Sequence, residues 1–367
     1  MSTQETKADI VGFRLSPQQD RLLGGGDFAA VQCAVVLAGP VREAALRAAL
    51  EEVVARHEIL RTTFKQTVGM RDRQQVIHDT LAPGWSSEDA DPPGDRDSLL
   101  ALLGREAELG LDLEHGPLLR AHLVSGAERG LLVLTAHASC ADGPSLLQIL
   151  GQTAQAYSRH GQAPEPIQYA DYAEWRHELT AGEEPEAADG RSFWSAAADT
   201  DAGAPRLLFS RPTDVPSSRL VPAPLVLGPD ELDRLARGAE AAGAGLSVFL
   251  EAAWHALIGR ISGTGEVLVA GWLDGRGQPD LRQAVGPYAQ PAPILTRFDQ
   301  DTTFAEVLDQ VRRARAEAQR WQDYGSGEDL VALAGRTRIA FVSTDVPMVS
   351  DPVLEIVALT PPPGAQL

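Results

Sequence analysis

The hydrophobic pattern changes period repeatedly along the chain. Residues 30–37 form an apolar, β-favouring run. Over 40–56, Val41, Leu46, Leu50, Val53 and Val54 fall largely on one helical face. Pro40 suits the first turn of that helix, where the N–H it lacks would have no partner. Residues 82–97 are rich in Pro, Gly, Ser and acidic side chains and read as a loop. A helix over 98–108 leads into strand-like runs at 118–124 and 131–137, with Arg129 and Gly130 in the turn between them. A further helix starts at Pro144. In the second half the pattern predicts helices over Pro229–Ala241, 247–261 and 303–321, and strands over 266–272 and 338–343. Between the halves, 183–205 is dominated by Glu, Ala, Asp and Gly, with Trp194 embedded, and reads as a crossing where few contacts would be lost. The expected organisation is an N-terminal lobe at 1–180, a connection at 181–205 and a C-terminal lobe at 206–367. Alternation of helix and strand in both halves argues an α/β fold with two sandwich-like lobes.

Composition narrows the function classes. At 367 residues the chain suits two lobes better than one core. Its 44% hydrophobic and 23% charged residues fit a soluble globular protein. A net charge of −19 argues against nucleic acid, because phosphate binding needs a basic footprint. The N-terminus lacks a basic-then-apolar signal pattern, and no apolar run approaches the roughly 20 residues of a membrane span, so no membrane association is expected. Cys33 and Cys140 are the only cysteines, which makes a disulfide framework improbable and fits a cytoplasmic setting. Metal-ligand spacings are absent, so no metal and no tightly bound cofactor is expected.

The segment 131–143, Leu-Leu-Val-Leu-Thr-Ala-His-Ala-Ser-Cys-Ala-Asp-Gly, carries the most chemistry. An apolar strand runs into His137, then Asp142 and Gly143, then a helix. It resembles the His-His-x-x-x-Asp-Gly motif of nonribosomal peptide synthetase condensation domains, with Ala138 where the second His belongs. Other segments carry the same resemblance in the family's order: Leu15-Ser16-Pro17-Gln18-Gln19, and the helix end Arg56-His57-Glu58-Ile59-Leu60-Arg61-Thr62-Thr63-Phe64. So do Asp112-Leu113 with Gly116-Pro117-Leu118-Leu119-Arg120, and Gln168-Tyr169-Ala170-Asp171-Tyr172-Ala173-Glu174-Trp175. Asp274-Gly275-Arg276 and Gly286-Pro287-Tyr288-Ala289 look like second-lobe motifs. The run Ala-Ser-Cys-Ala-Asp is also similar to a subgroup of condensation-like domains that carry Ala-x-Cys-Ala-Asp in place of the His motif.

The resemblance implies two chloramphenicol-acetyltransferase-like lobes in a V arrangement. A tunnel between them would admit phosphopantetheine arms of carrier proteins from opposite faces, in a monomeric pseudo-dimer. Condensation domains usually run longer, so against the resemblance part of the second lobe after Phe341 is expected to be either shortened or cut away. The nearness of Met1 to the first motif suggests that the polypeptide begins here.

Amide formation needs a free amine to attack a thioester, and a neighbouring His can take the proton. Ala138 offers no such group. His137 matches the first His of the pair, which faces the structure, and neighbours at a strand end point in opposite directions, so it does not simply replace position 138. Cys140 is a candidate nucleophile, since helix N-termini lower a thiol's pKa, although a small buried Cys beside a tight turn is also common. Gly143 answers a turn with little room for a Cβ, and its N–H could face a carbonyl. The resemblance gives Asp142 a structural role paired with Arg61. Ser145 reads as a helix-start polar group near substrate. Asp274 and Arg276 are expected at the tunnel floor, Gly286 beside the tunnel, and Gln290 where the family usually has Asn.

Three functions follow as expectations. The first is a condensation-like domain that has lost ordinary peptide-bond formation, binds carrier-tethered intermediates and recruits a tailoring oxidase, with an adenylation domain as another partner. The second is an active acyl- or aminoacyltransferase that works by proximity of two tethered substrates. The third is dehydration or cyclisation of a tethered residue.

Overall fold

A computed structural model describes residues 12–24, 30–66, 73–158, 165–198, 227–337, 339–344 and 354–359. In chain order the first elements are α1 (Pro17–Gly24), β1 (Ala30–Ala38), α2 (Glu43–Arg56), β2 (Thr62–Gln66), β3 (Arg73–Ile77), β4 (Gly84–Glu88), α3 (Arg96–Glu108), β5 (Leu119–Ser125), β6 (Arg129–His137), α4 (Gly143–Tyr157) and α5 (Tyr169–Ala181). Then come α6 (Pro185–Ala198), α7 (Pro229–Ala241), α8 (Leu246–Ser262), β7 (Glu266–Leu273), β8 (Gln290–Arg297), α9 (Phe304–Trp321), α10 (Gly327–Arg336), β9 (Ala340–Phe341) and β10 (Leu354–Leu359). No single helix among the described residues is long and apolar enough to cross a membrane.

The chain divides into two compact units. The first takes residues 1–178, 278–288 and 346–360, and the second takes 179–277, 289–345 and 361–367. The span 181–205, expected to be a connection, is largely occupied by α6, which belongs to the second unit. Its Trp194 is 1% exposed, packs with Leu268, Leu330 and Leu333, and donates its indole N–H to the Trp321 carbonyl at 2.8 Å. The acidic, Ala-rich surroundings hide a helix that buries one large anchor. Residues 199–226, which hold the rest of that connection and the expected start of the second lobe, lie outside the described residues.

In the first unit a five-stranded sheet has the order β10-β1-β6-β5-β4. Within it the β4–β5 pair is parallel and the other three pairs are antiparallel. Val31, Cys33, Val35 and Leu37 of β1, with Leu132, Leu134 and Ala136 of β6, join α2 and α4 in one apolar cluster. Ala34 of β1 lies on the other face, where Leu131 and Val133 of β6 meet Leu102 and Leu103 of α3. Burial on both faces explains why β6 reads as a continuous apolar run rather than an alternating one. The β1–β6 register pairs Ala30 with His137, so the motif emerges at the end of the sheet where β1 begins.

Several boundaries differ from the sequence expectations. The helix expected from Pro40 begins at Glu43. Arg129 and Gly130 are not the turn but the start of β6. The expected loop at 82–97 contains β4, an edge strand whose Trp85, Ser86 and Ser87 give it no apolar period. In the second unit β7 is the centre of a three-stranded sheet ordered β8-β7-β9. Strand β8 has no sequence expectation behind it, because Pro291 and Pro293 look like strand breakers; prolines are tolerated where a strand has an unpaired edge. The strand expected at 338–343 is reduced to β9. Helix α8 carries Ala252 and Ile258 onto this sheet, and Val307, Leu308 and Val311 of α9 pack beside it.

Candidate functional site

Strand β6 ends at His137, residues 138–140 form a turn, and α4 begins at Gly143. Backbone and side-chain contacts fix that turn. The N–H of Cys140 donates to the His137 carbonyl at 2.9 Å, and the Cys140 thiol donates to the Leu118 carbonyl at 3.4 Å. The Ser139 N–H donates to His137 Nδ1 at 3.2 Å, and the Ser139 hydroxyl lies 2.7 Å from the same nitrogen. Because Nδ1 accepts from a backbone N–H, the ring proton sits on Nε2.

His137 is 2% exposed. Burial, with Arg73 adding to it, pushes its pKa down to about 4, so the ring is neutral at physiological pH. Its neighbour Ala138 is also 2% exposed and belongs to the apolar cluster of the first unit. Burial pushes the Cys140 thiol up to about 12. A nucleophilic cysteine must be a thiolate, and the expected lowering by the α4 N-terminus does not overcome this desolvation. Cys140 is therefore corrected from candidate nucleophile to packed turn residue.

Asp142 is the N-cap of α4, and its carboxylate accepts from the Ser145 N–H at 2.8 Å. The expected Asp142–Arg61 pair does not form. Arg61 ends a short 3₁₀ turn at Glu58–Arg61, from which its guanidinium reaches the His78 carbonyl and lies 3.5 Å from Glu58. The reason is local: the 3₁₀ turn and the residue after β3 present a carboxylate and a carbonyl beside the guanidinium. Gly143 also needs correction. A Cβ there would meet Leu359 at 3.6 Å, an ordinary contact, so the turn does not exclude a side chain.

Ser145 is fully buried and binds the loop at 286–288 twice. Its hydroxyl donates to the Gly286 carbonyl at 2.8 Å and accepts from the Gly286 N–H at 2.9 Å. Ser145, expected as a polar group at the helix start, fastens the first turn of α4 to that loop. Gly286 has its own steric reason: a Cβ would lie 2.1 Å from the Tyr169 ring. Tyr169 donates to the Pro287 carbonyl at 3.1 Å and shares a 2.7 Å hydrogen bond with Ser16, and Tyr288 packs edge-on to it with ring centroids 5.0 Å apart. Gln19 continues the network, donating to the Ser139 carbonyl at 3.1 Å and to Gln75 at 3.0 Å. Ser16, Gln19, Tyr169 and Tyr288 all stand within the sequence motifs, but nothing in the sequence assigns them a role at the turn. Their spacing carries no periodic signal; only the tertiary fold brings them there.

The remaining candidates lie in the second unit. Arg276 pairs with Asp274 two residues away, at 2.7 Å to the carboxylate and 3.1 Å to the carbonyl. The Arg276 side chain is 3% exposed and that of Asp274 is 60% exposed. Gln290 is fully buried and donates its side-chain amide to the Gln322 carbonyl. Among the described residues no group of His, Cys, Asp or Glu could hold a metal ion.

The family model for the condensation domain matches residues 18–341. A linear gramicidin synthase of Brevibacillus parabrevis is 29% identical over 321 residues, covering 83% of this chain and 4% of that protein. The chain therefore spans a small part of this curated relative. Among solved structures, the X-domain from teicoplanin biosynthesis is 27% identical, with a TM-score of 0.72, over 96% of this chain and 82% of that one. The complex of the X-domain and OxyB from teicoplanin biosynthesis matches at 29% identity and a TM-score of 0.70, over 96% and 81%.

Proposed function

The chain belongs to the condensation-domain family of nonribosomal peptide biosynthesis, and from that premise we propose that it binds carrier-tethered intermediates without joining them. On this reading it receives a peptide on the phosphopantetheine arm of a carrier protein and presents it to a tailoring oxygenase. The observation that carries the reading is Ala138, a methyl group where the family's motif has its second His. Among the described residues of the turn, three polar side chains are already committed. His137 Nδ1 is engaged by Ser139, the Cys140 thiol is neutral, and the Ser145 hydroxyl is engaged on both sides by Gly286. A general base must reach the proton it removes, and these side chains are turned to the fold. The X-domain of teicoplanin biosynthesis, similar along most of its length, has a structure in complex with OxyB, and that supports the recruitment part of the reading.

The test is reconstitution with an acyl donor and an amine acceptor, each loaded on its carrier protein, alongside a binding titration with the oxygenase of the same biosynthetic system. The expected outcome is no amide by mass spectrometry, with saturable binding of the loaded carrier or the oxygenase. Robust amide formation would overturn the reading and leave proximity of the two tethered substrates as the source of catalysis.

A further inference from the structure

Gln19 stands fully buried in α1, and its side chain joins three parts of the first unit. The Ser16 N–H donates to Gln19 Oε1 at 2.9 Å. That contact fixes which end of the carboxamide is oxygen, because an N–H finds no acceptor on an amide nitrogen. The nitrogen then donates one hydrogen to the Ser139 carbonyl at 3.1 Å and the other to Gln75 Oε1 at 3.0 Å. Gln75 of β3 agrees with this assignment: its own nitrogen donates to the Arg14 carbonyl at 2.7 Å, which leaves its oxygen to accept. Neither amide can flip without setting donor against donor or acceptor against acceptor.

Ser139 carries this grip to His137. It is fully buried and held at both ends. Its carbonyl is held by Gln19, and its N–H and hydroxyl lie 3.2 and 2.7 Å from His137 Nδ1. A ring with its proton on Nδ1 would face the Ser139 N–H donor to donor. The Nε2–H form is therefore selected only while that N–H points at the ring. Releasing the carbonyl frees Ser139 to turn, and the selecting group turns with it. We propose that Gln19 is a positioning residue, acting through Ser139 to hold His137 in the Nε2–H tautomer with its Nδ1 lone pair occupied by the turn. This deepens the non-condensing reading and rests on it for its functional weight. It names what keeps that lone pair of the motif's remaining histidine from a substrate.

The experiment is nitrogen NMR of the His137 ring in the full chain at about pH 7, where burial keeps the ring neutral. The parent protein should show a bare Nδ1 and a protonated Nε2. Gln19→Met, of similar length but without donor or acceptor, should move both shifts toward the average of the two tautomers. Ser145→Ala loosens the start of α4 by removing the bonds to Gly286, not those to Ser139, and should leave both shifts in place. Gln19→Asn, which withdraws the amide by one methylene, serves in place of the Met variant if that one does not fold. A folded Gln19 variant with parental ring shifts overturns the proposal. So does a protonated Nδ1 in the parent, or an equal movement in Ser145→Ala. No carrier protein enters the measurement, so it holds or fails separately from the reconstitution above.

Discussion

Ser145 makes two hydrogen bonds to a single residue's backbone, and this gives a sharp test of what its hydroxyl does. Ser145→Ala leaves a buried N–H and a buried carbonyl of Gly286 without that partner, so it should destabilise the protein by about 1–3 kcal/mol. Chemical denaturation should report this as a lower midpoint with an unchanged slope. A midpoint unchanged from the parent would show that the fastening is dispensable. His137 and His255 give a pH dependence. Burial pushes His137 down to about 4 and His255 to about 3, against an ordinary value near 6.5. The unfolded chain takes up their protons first on acidification, so the stability each neutral ring contributes is complete above about pH 6.5 and is lost as pH falls toward the folded values. Glu251, whose carboxyl burial raises despite Arg315, has the opposite sign, so the wild-type curve mixes both. His255→Gln should therefore flatten the loss of melting temperature between about pH 6.5 and 4 relative to wild type; parallel curves would exclude His255 from the acid response. At this scale the sequence shows that Ala138 lacks a base, and the family resemblance turns His137 toward the structure. It does not show Ser139 on His137 or Ser145 on Gly286. Such pairs depend on the angle at which a turn leaves its strand, and residue type does not encode that angle.

Among the elements, α6 carries the clearest energetic claim. Trp194 is its deep anchor, with an indole N–H bound at 2.8 Å to the Trp321 carbonyl. Trp194→Ala removes a large buried ring and should cost about 3–5 kcal/mol. Calorimetry would check this, the expected result being an earlier unfolding transition; an unmoved transition would mean that α6 is peripheral to the second unit. The long amphipathic helices and the strands buried on both faces are legible from the sequence, since α7 matches its predicted span and α8 and β7 extend theirs by a residue or so. The misses share a cause. Strand β4 has no apolar side to announce it, β8 carries two prolines, and α6 reads as an acidic linker. Each is held by what packs around it rather than by its own periodicity.

For the whole molecule, the important fact is that the first unit is not a continuous stretch of chain. It includes 278–288, where Gly286 and Tyr288 lie, and 346–360, which supplies β10. A fragment ending at residue 180 would lose the edge partner of β1 and the loop that Ser145 holds. It should aggregate or unfold without cooperativity, because an uncovered β1 edge is a template for other chains. Size-exclusion chromatography and thermal melting would show this, and a monodisperse, cooperatively melting fragment would refute it. The pairing of β1 with β10 also sets a clock for biosynthesis. Ala34 finds Ala358 only after 324 further residues have been made (358 − 34), which at ribosomal speed takes on the order of tens of seconds. Until then one flank of the sheet stands bare on the nascent chain, and the cell must keep it from wrong partners.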